Sequence, residues 1–151
     1  MCTKLWASAL LVSLMCLPAS AQTAADFFNP GVLHEIRISI HPMDWQNLKI
    51  HFNENTHYPA DFHWIYDGRD IEAQQVSLRS RGLGSRNGIK PGLTVDFGRF
   101  TDRTFLGLKG VVLRNNAQDA SMIRERVAMA FMNLMEVPAP REAHALSLIH
   151  I

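Results

Sequence analysis

A glycine-rich, basic stretch between two strand-like runs contains the residues best suited to chemistry. It spans residues 76–97, VSLRSRGLGSRNGIKPGLTVDF, and holds four glycines. Its first four charged residues are all basic: Arg79, Arg81, Arg86 and Lys90. Glycine lets the backbone turn and brings N–H groups close to a ligand, while guanidinium and ammonium groups bind phosphate oxygens. These residue types suit a polyanion such as a nucleotide phosphate.

The alternation of a strand places the arginines of this stretch on one face. Ser77, Arg79 and Arg81 share that face, so the two guanidinium groups project side by side into solvent or a cleft. The alternative is a solvated hairpin tip that carries positive charge. The residue types alone favour this alternative, because a glycine-rich basic loop is a weak signal and matches neither a Walker loop nor the protein-kinase glycine loop.

A later polar segment, NNAQDASMIRER at residues 115–126, is the second candidate. Arg124 follows Ile123, which belongs to a predicted apolar helix stripe. At the edge of that stripe, Arg124 can point along the sheet toward the glycine-rich loop. The alternative is a solvated helix face on which charges of both signs alternate.

Other chemistries find little support in the sequence. The seven histidines include no close pair with metal-ligand spacing, and zinc needs three or four converging ligands, so we expect no metal site from them. No G-x-S-x-G motif is present, which argues against serine-hydrolase chemistry. The net charge of +1 does not favour nucleic acid as a partner.

The spacing of hydrophobic residues predicts the strands and helices that position these residues. HEIRISIH at residues 34–41 alternates, with Ile36, Ile38 and Ile40 on one face, as in a half-buried strand. Similar runs predict strands at 60–66, 71–81, 93–97 and 110–113, with another beginning at 142–145. Asp67-Gly68 predicts a hairpin turn.

Helical periodicity predicts two helices. A short helix follows Pro42, and a longer one spans residues 121–135 and is capped by Asp119 or Ser121. The longer helix has one apolar stripe: Ile123, Val127, Ala130, Phe131 and Leu134. The sequence therefore predicts an α+β fold, a mostly antiparallel sheet with one short and one longer helix, the longer packed on the sheet.

The first 21 residues are typical of a secretory signal peptide. Lys4 precedes the short apolar run LWASALLVSLMCL, and Ala19-Ser20-Ala21 forms an A-x-A cleavage site. Cleavage would give an exported protein without cysteine and without an integral membrane span. An uncleaved anchor and a lipoprotein signal at Cys16 are the alternatives, and the A-x-A site favours cleavage.

The remaining chain is predicted to form one lobe. Residues 22–30 are expected to be a linker, and residues 31–145 form the lobe. The final residues 146–151, LSLIHI, match what a common sequencing adapter encodes when it is read in frame, and a genuine terminal strand is the alternative. If the adapter interpretation holds, the chain is the N-terminal part of a longer protein.

Three motifs in order resemble the CotH kinase family, named for a bacterial spore-coat protein kinase. They are FFNPGVLHEIRISIHPMDWQNL, RSRGLGSRNGIKPGLTVDF, and FLGLKGVVLRNNAQDASMIRERVAMAFMNLMEVPAPREAHA. Together the motifs cover about residues 28–145. The resemblance implies the small lobe of an atypical protein-kinase-like fold. It also implies that the lobe binds ATP with Mg²⁺ and serves phosphorylation of serine or threonine in a protein substrate, which the sequence does not identify.

The resemblance also assigns the candidate site residues. Arg81, Gly82 and Ser85 fall at the phosphate loop, Lys90 at the motif's lysine, and Arg124 at the helix arginine. The sequence departs from the family pattern at Leu83, where a small or polar residue is usual, and at Arg114, where a leucine is usual.

The family's magnesium-binding and catalytic aspartates lie in a larger C-terminal lobe. We therefore expect no catalytic residue within this chain and no activity from it alone. The alternative function is a non-catalytic exported binding or structural module of the cell envelope or surface.

Overall fold

The computed structural model describes residues 22–151, and the predicted signal peptide lies outside them. The strands are β1 (His34–Ile40), β2 (Tyr58–Tyr66), β3 (Arg69–Arg81), β4 (Gly92–Asp96), β5 (Gly110–Leu113) and β6 (Ala145–His150). The helices are α1 (Ala24–Phe27), α2 (Pro42–Ile50) and α3 (Arg124–Leu134). The six strands form one sheet in the order β5-β4-β3-β2-β1-β6. All neighbouring strands are antiparallel except β1 and β6, which confirms the predicted α+β fold.

The core lies on one face of this sheet. Ile36, Ile38 and Ile40 of β1 are buried, as their alternation predicts. Aromatic rings fill the centre: the Phe62 and Phe105 ring centroids lie 5.3 Å apart, edge to face. Pairs of this kind contribute about 0.5–1.5 kcal/mol beyond the area they bury.

Residues 22–30 are part of the fold and differ from the predicted linker. They contain α1, which begins with a capping box between Thr23 and Asp26. Phe27 is buried against Trp64, with ring centroids 5.1 Å apart. The segment is too short to show a hydrophobic period, so the pattern did not reveal that Phe27 is buried.

His34 is a structural residue of the core. It is 2% exposed, and its Nδ1 accepts a hydrogen bond from Trp64 Nε1 at 3.2 Å. Its Nε2 lies 3.1 Å from the Asn29 carbonyl oxygen. Because Nδ1 accepts, the ring proton must sit on Nε2 and be donated to Asn29.

A bulge in β3 decides which way the arginines of that strand point. The β2–β3 register pairs Phe62 with Ala73 but Ala60 with Val76, so β3 carries one extra residue. Gln75, with φ of 56°, occupies the bulge, and its N–H donates to Asp61 Oδ1 at 2.8 Å. Even-numbered residues face the core after the bulge.

The hairpin that leads into β3 is the predicted one. Asp67 and Gly68 have φ of 50° and 69°, as in a type I′ turn. Its geometry matches the twist of the two strands, which continue through the bulge as the longest ladder of the sheet.

The longer helix differs from its prediction in length and packing. It begins at Arg124, and no residue of α3 is buried. Its stripe is exposed, with 59% of Val127 and 62% of Phe131 accessible. Helical periodicity predicts that an apolar face exists, but it does not say which surface covers that face.

Residues 146–151 lie mostly in β6, which pairs in parallel with β1. A terminal strand was the alternative prediction for this run. β6 is an edge strand, and most of its residues are exposed. The adapter origin of these residues stays a prediction, which the nucleotide sequence tests: codons that differ from the adapter contradict it.

Candidate functional site

The glycine-rich loop connects β3 to β4 and has an irregular backbone. Gly82 and Gly84 have φ of 139° and 77°, a region that residues with a side chain rarely adopt. A Cβ atom at Gly82 would collide with the Ser85 hydroxyl group. Within residues 22–151, the N–H groups of Leu83, Gly84 and Ser85 have no protein acceptor. These groups are therefore open to an anion or to water.

Arg86 holds the loop against the connection between α2 and β2. Its Nη1 donates to the Asn53 carbonyl at 2.6 Å, and its Nη2 donates to Asn55 Oδ1 at 2.6 Å. Its Nε donates to the Gly82 carbonyl at 3.0 Å. The guanidinium group thus donates to protein acceptors. The presence of a basic residue at this position is explained by these hydrogen bonds and requires no bound ligand.

Asn115 clamps the loop from the other side. Its Nδ2 donates to the carbonyl oxygens of Ser85 and Lys90, both at 2.9 Å. Its Oδ1 accepts from Ala117 N at 3.2 Å, and the residue is only 8% exposed. Asn115 belongs to the second polar segment, but the sequence pattern assigns it no role. The available signal was an amide residue two positions after the end of a strand.

The structure brings four of the five candidate residues to this loop. Arg81 is the last residue of β3 and is exposed. Lys90 is also exposed, and only its backbone is fixed, because its N–H donates to Asn87 Oδ1 at 2.6 Å. Neither charged group hydrogen-bonds or ion-pairs with another described residue. Gly82 and Ser85 shape the turn between them.

Lys90 lies in the loop, before the following strand. β4 begins only at Gly92, which pairs with Arg81. A Cβ atom at Gly92 would lie 2.9 Å from the Arg81 carbonyl oxygen, so the two strands approach closely there.

Arg124 does not contact the glycine-rich loop. It is the first residue of α3, its side chain is 76% exposed, and its Nη2 lies 3.9 Å from Asp119 Oδ1. The contact to the loop comes from Gln118, whose Nε2 donates to the Gly84 carbonyl at 3.5 Å. The second polar segment therefore does lie next to the glycine-rich loop, but the contact is made by a residue other than Arg124.

Asp119 supports the start of α3, but the N-cap residue is Ile123 and neither Asp119 nor Ser121 occupies the predicted cap position. Its Oδ2 accepts from Arg124 N at 2.8 Å, and its Oδ1 accepts from the Ser121 hydroxyl at 2.5 Å. The Ser121 hydrogen bond, followed by the one from the Arg124 N–H, lowers the pKa of Asp119 below its ordinary value. The carboxylate is thus ionised and committed to the helix.

Within residues 22–151, no three histidine or carboxylate side chains gather as ligands for one metal ion. In the same part of the chain, no helix has the length and apolar character that a membrane span requires.

Comparison with known proteins places the loop inside a family match. Residues 78–149 match the family model described as CotH kinase protein. The match begins in β3, covers the loop, β4, β5 and α3, and ends in β6. No curated protein matches the chain. The match confirms the resemblance over these residues. The first motif, before residue 78, lies outside it.

Proposed function

We propose that this chain is the nucleotide-binding lobe of an exported, CotH-type, ATP-dependent protein serine/threonine kinase. The observation that carries the proposal is the loop between β3 and β4. Arg86 and Asn115 hold its backbone, while Arg81 and Lys90 keep uncommitted charges beside open N–H groups. The kinase-like family match over residues 78–149 supports the same chemistry.

Each candidate residue has a distinct role in this proposal. Arg81 and Lys90 neutralise the charge of the ATP phosphates, and the N–H groups after Gly82 donate to phosphate oxygens. Ser85 adds a hydroxyl donor, and Gly82 permits the turn. Arg124 lies beside Asp119 and must turn away from it to reach the phosphates. Its proposed contribution to ATP binding is therefore the smallest of the five.

Magnesium enters the proposal through the family resemblance alone. The described residues offer cations and N–H donors for phosphate, but they gather no carboxylates for a metal ion. Magnesium would neutralise the phosphates when bound. We assign no phosphoryl-transfer step to these residues, and we expect the chain alone to bind nucleotide without transferring phosphate. Export rests on the signal-peptide pattern of residues 1–21.

ATP titration of the purified protein tests this function. We expect Lys90→Ala to weaken ATP binding by about tenfold, because a charge-assisted contact to phosphate is lost. The matched control is Lys109→Ala, which removes an exposed lysine outside the loop. Calorimetry would measure the affinities, and circular dichroism would show that all three proteins are folded.

Two outcomes contradict the proposal. One is no ATP binding by the folded wild-type protein, which would favour a non-catalytic exported module. The other is an equal loss in Lys90→Ala and Lys109→Ala, which would reflect only the overall charge.

A further inference from the structure

The polar face of the sheet, opposite the core, carries a pocket of about 370 Å³. Its lining residues are Asn55, His57, Arg79, Thr94, Asp96 and Arg99. Arg79 and Thr94 are paired across β3 and β4, so their side chains stand next to each other on this face. None of these residues belongs to the proposed nucleotide site.

The pocket has an excess of positive charge. No described carboxylate forms an ion pair with Arg79 or Arg99, and the one hydrogen bond of the Arg79 guanidinium goes to Asn55 Oδ1 at 3.3 Å. The acid in the lining is Asp96, and its Oδ1 already accepts from Gly98 N at 3.0 Å. Two guanidinium groups therefore share a pocket with one partly engaged carboxylate.

His57 is held in place with one ring nitrogen uncommitted. Its Nδ1 lies 2.6 Å from the hydroxyl of Ser77, which is fully buried. Nε2 forms no hydrogen bond with a described residue, and it carries the ring proton when Nδ1 accepts from the Ser77 hydroxyl. Burial, and then the charges of Arg99 and Arg79, lower the pKa of His57 below 6.5, while Asp96 raises it. A negatively charged ligand would offset the charges of Arg99 and Arg79 and so raise the pKa of His57 again.

The hydroxyl of Thr94 is the independent sign of a ligand. Its Oγ1 is buried and has no hydrogen-bond partner in the described chain. A buried hydroxyl without a partner costs about 1–3 kcal/mol, so such groups usually meet a ligand or an ordered water. Among the described residues, the other buried hydroxyl without a partner is that of Ser80, which faces the core and does not belong to the pocket.

We propose that this pocket binds a phosphate-class oxyanion. A tetrahedral dianion accepts hydrogen bonds in several directions at once, which matches two guanidinium groups, a hydroxyl and an imidazole N–H. The pocket is much larger than the roughly 30 Å³ that one water molecule occupies, so it has room for a phosphate group attached to a larger molecule. The proposal goes beyond the ATP-binding function and does not depend on it.

Titration with inorganic phosphate at constant ionic strength tests the pocket, with the His57 ring resonances followed by NMR. We expect saturable shifts of these resonances and a raised pKa of His57 in the bound protein. Arg99→Gln and Thr94→Val should each weaken binding by about tenfold. Thr94→Val should not reduce stability, because it removes an unpartnered hydroxyl, so lost binding cannot be ascribed to unfolding.

Two further variants sharpen the test. Arg103→Gln removes an exposed arginine from the connection between β4 and β5, which also contains Arg99, and should leave phosphate binding unchanged. Asp96→Asn removes the opposing charge and should strengthen binding several-fold. The proposal is overturned if phosphate leaves the His57 resonances unmoved. It is also overturned if Arg103→Gln weakens binding as much as Arg99→Gln.

Competition identifies the source of the phosphate. Phosphoserine that displaces inorganic phosphate points to a phosphorylated side chain, whereas displacement by ATP points to a nucleotide. Repeating the phosphate titration with Lys90→Ala separates the two proposals. We expect phosphate to bind this variant normally even where ATP binding at the loop is lost.

Discussion

The side chain of Asn115 should make a large contribution to stability for a polar residue. It donates to two loop carbonyls at 2.9 Å and accepts from Ala117 N at 3.2 Å, and it is 8% exposed. A net hydrogen bond contributes about 1 kcal/mol, and the longest of these three contributes less. Asn115→Ala should therefore lower the free energy of unfolding by about 2–3 kcal/mol, because water replaces only part of what is lost.

Urea denaturation measures this change. About 2 kcal/mol corresponds to roughly a 30-fold change in the unfolding equilibrium constant. The matched control is Asn53→Ala, because Asn53 is exposed and contributes only its backbone carbonyl to the loop. The control should stay within about 0.5 kcal/mol of wild type, as is usual for surface substitutions.

Asn115→Asp provides a second and sharper test. At pH 7 the carboxylate cannot donate and faces the two loop carbonyl oxygens, so this variant should lose more stability than Asn115→Ala. The buried carboxyl should have a raised pKa, and part of the loss should be recovered as the pH falls and the group is protonated. An Asn115→Ala variant as stable as Asn53→Ala would refute this reasoning.

Two further predictions follow from burial and from charge. Phe62→Ala should cost about 3–5 kcal/mol in urea denaturation, whereas Phe131→Ala on the exposed face of α3 should cost less than about 0.5 kcal/mol; equal losses would contradict the exposure of α3. Because the pKa of His57 is lowered, its contribution to stability should be complete above pH 6.5 and be lost as the pH falls from 6.5 toward the folded-state pKa. Denaturation at pH 7.5 and 5.5 should show that His57→Asn has a weaker pH dependence than wild type, and an unchanged dependence would contradict the prediction.

The sheet could be predicted from the sequence because its signals are local. The alternation of Ile36, Ile38 and Ile40 and the Asp67-Gly68 turn each depend on a few neighbouring residues. The bulge at Gln75 is visible in the same way once two patterns are compared. Apolar residues occupy odd positions up to Ala73 and even positions from Val76, and only an inserted residue reconciles the two.

The site could be predicted only in part, because its anchors are distant in sequence. Asn115 reaches the loop across 30 residues to Ser85, and Arg86 reaches across 33 residues to Asn53. The sequence does not show to which distant carbonyl oxygen an amide or a guanidinium group will donate. For the same reason the exposed basic residues of the loop could be named, but the residues that hold it could not.

The bulge also explains why one strand serves both proposed sites. Without the extra residue, Arg79 and Arg81 would face the core, where an unpaired guanidinium group is costly. With it, both project from the polar face, about 7 Å apart along the strand. Arg79 is directed into the pocket by Thr94 and Asn55, while Arg81 stands at the strand end beside the glycine-rich loop. A single backbone irregularity, fixed by the Asp61 carboxylate, thus sets the direction of both charges.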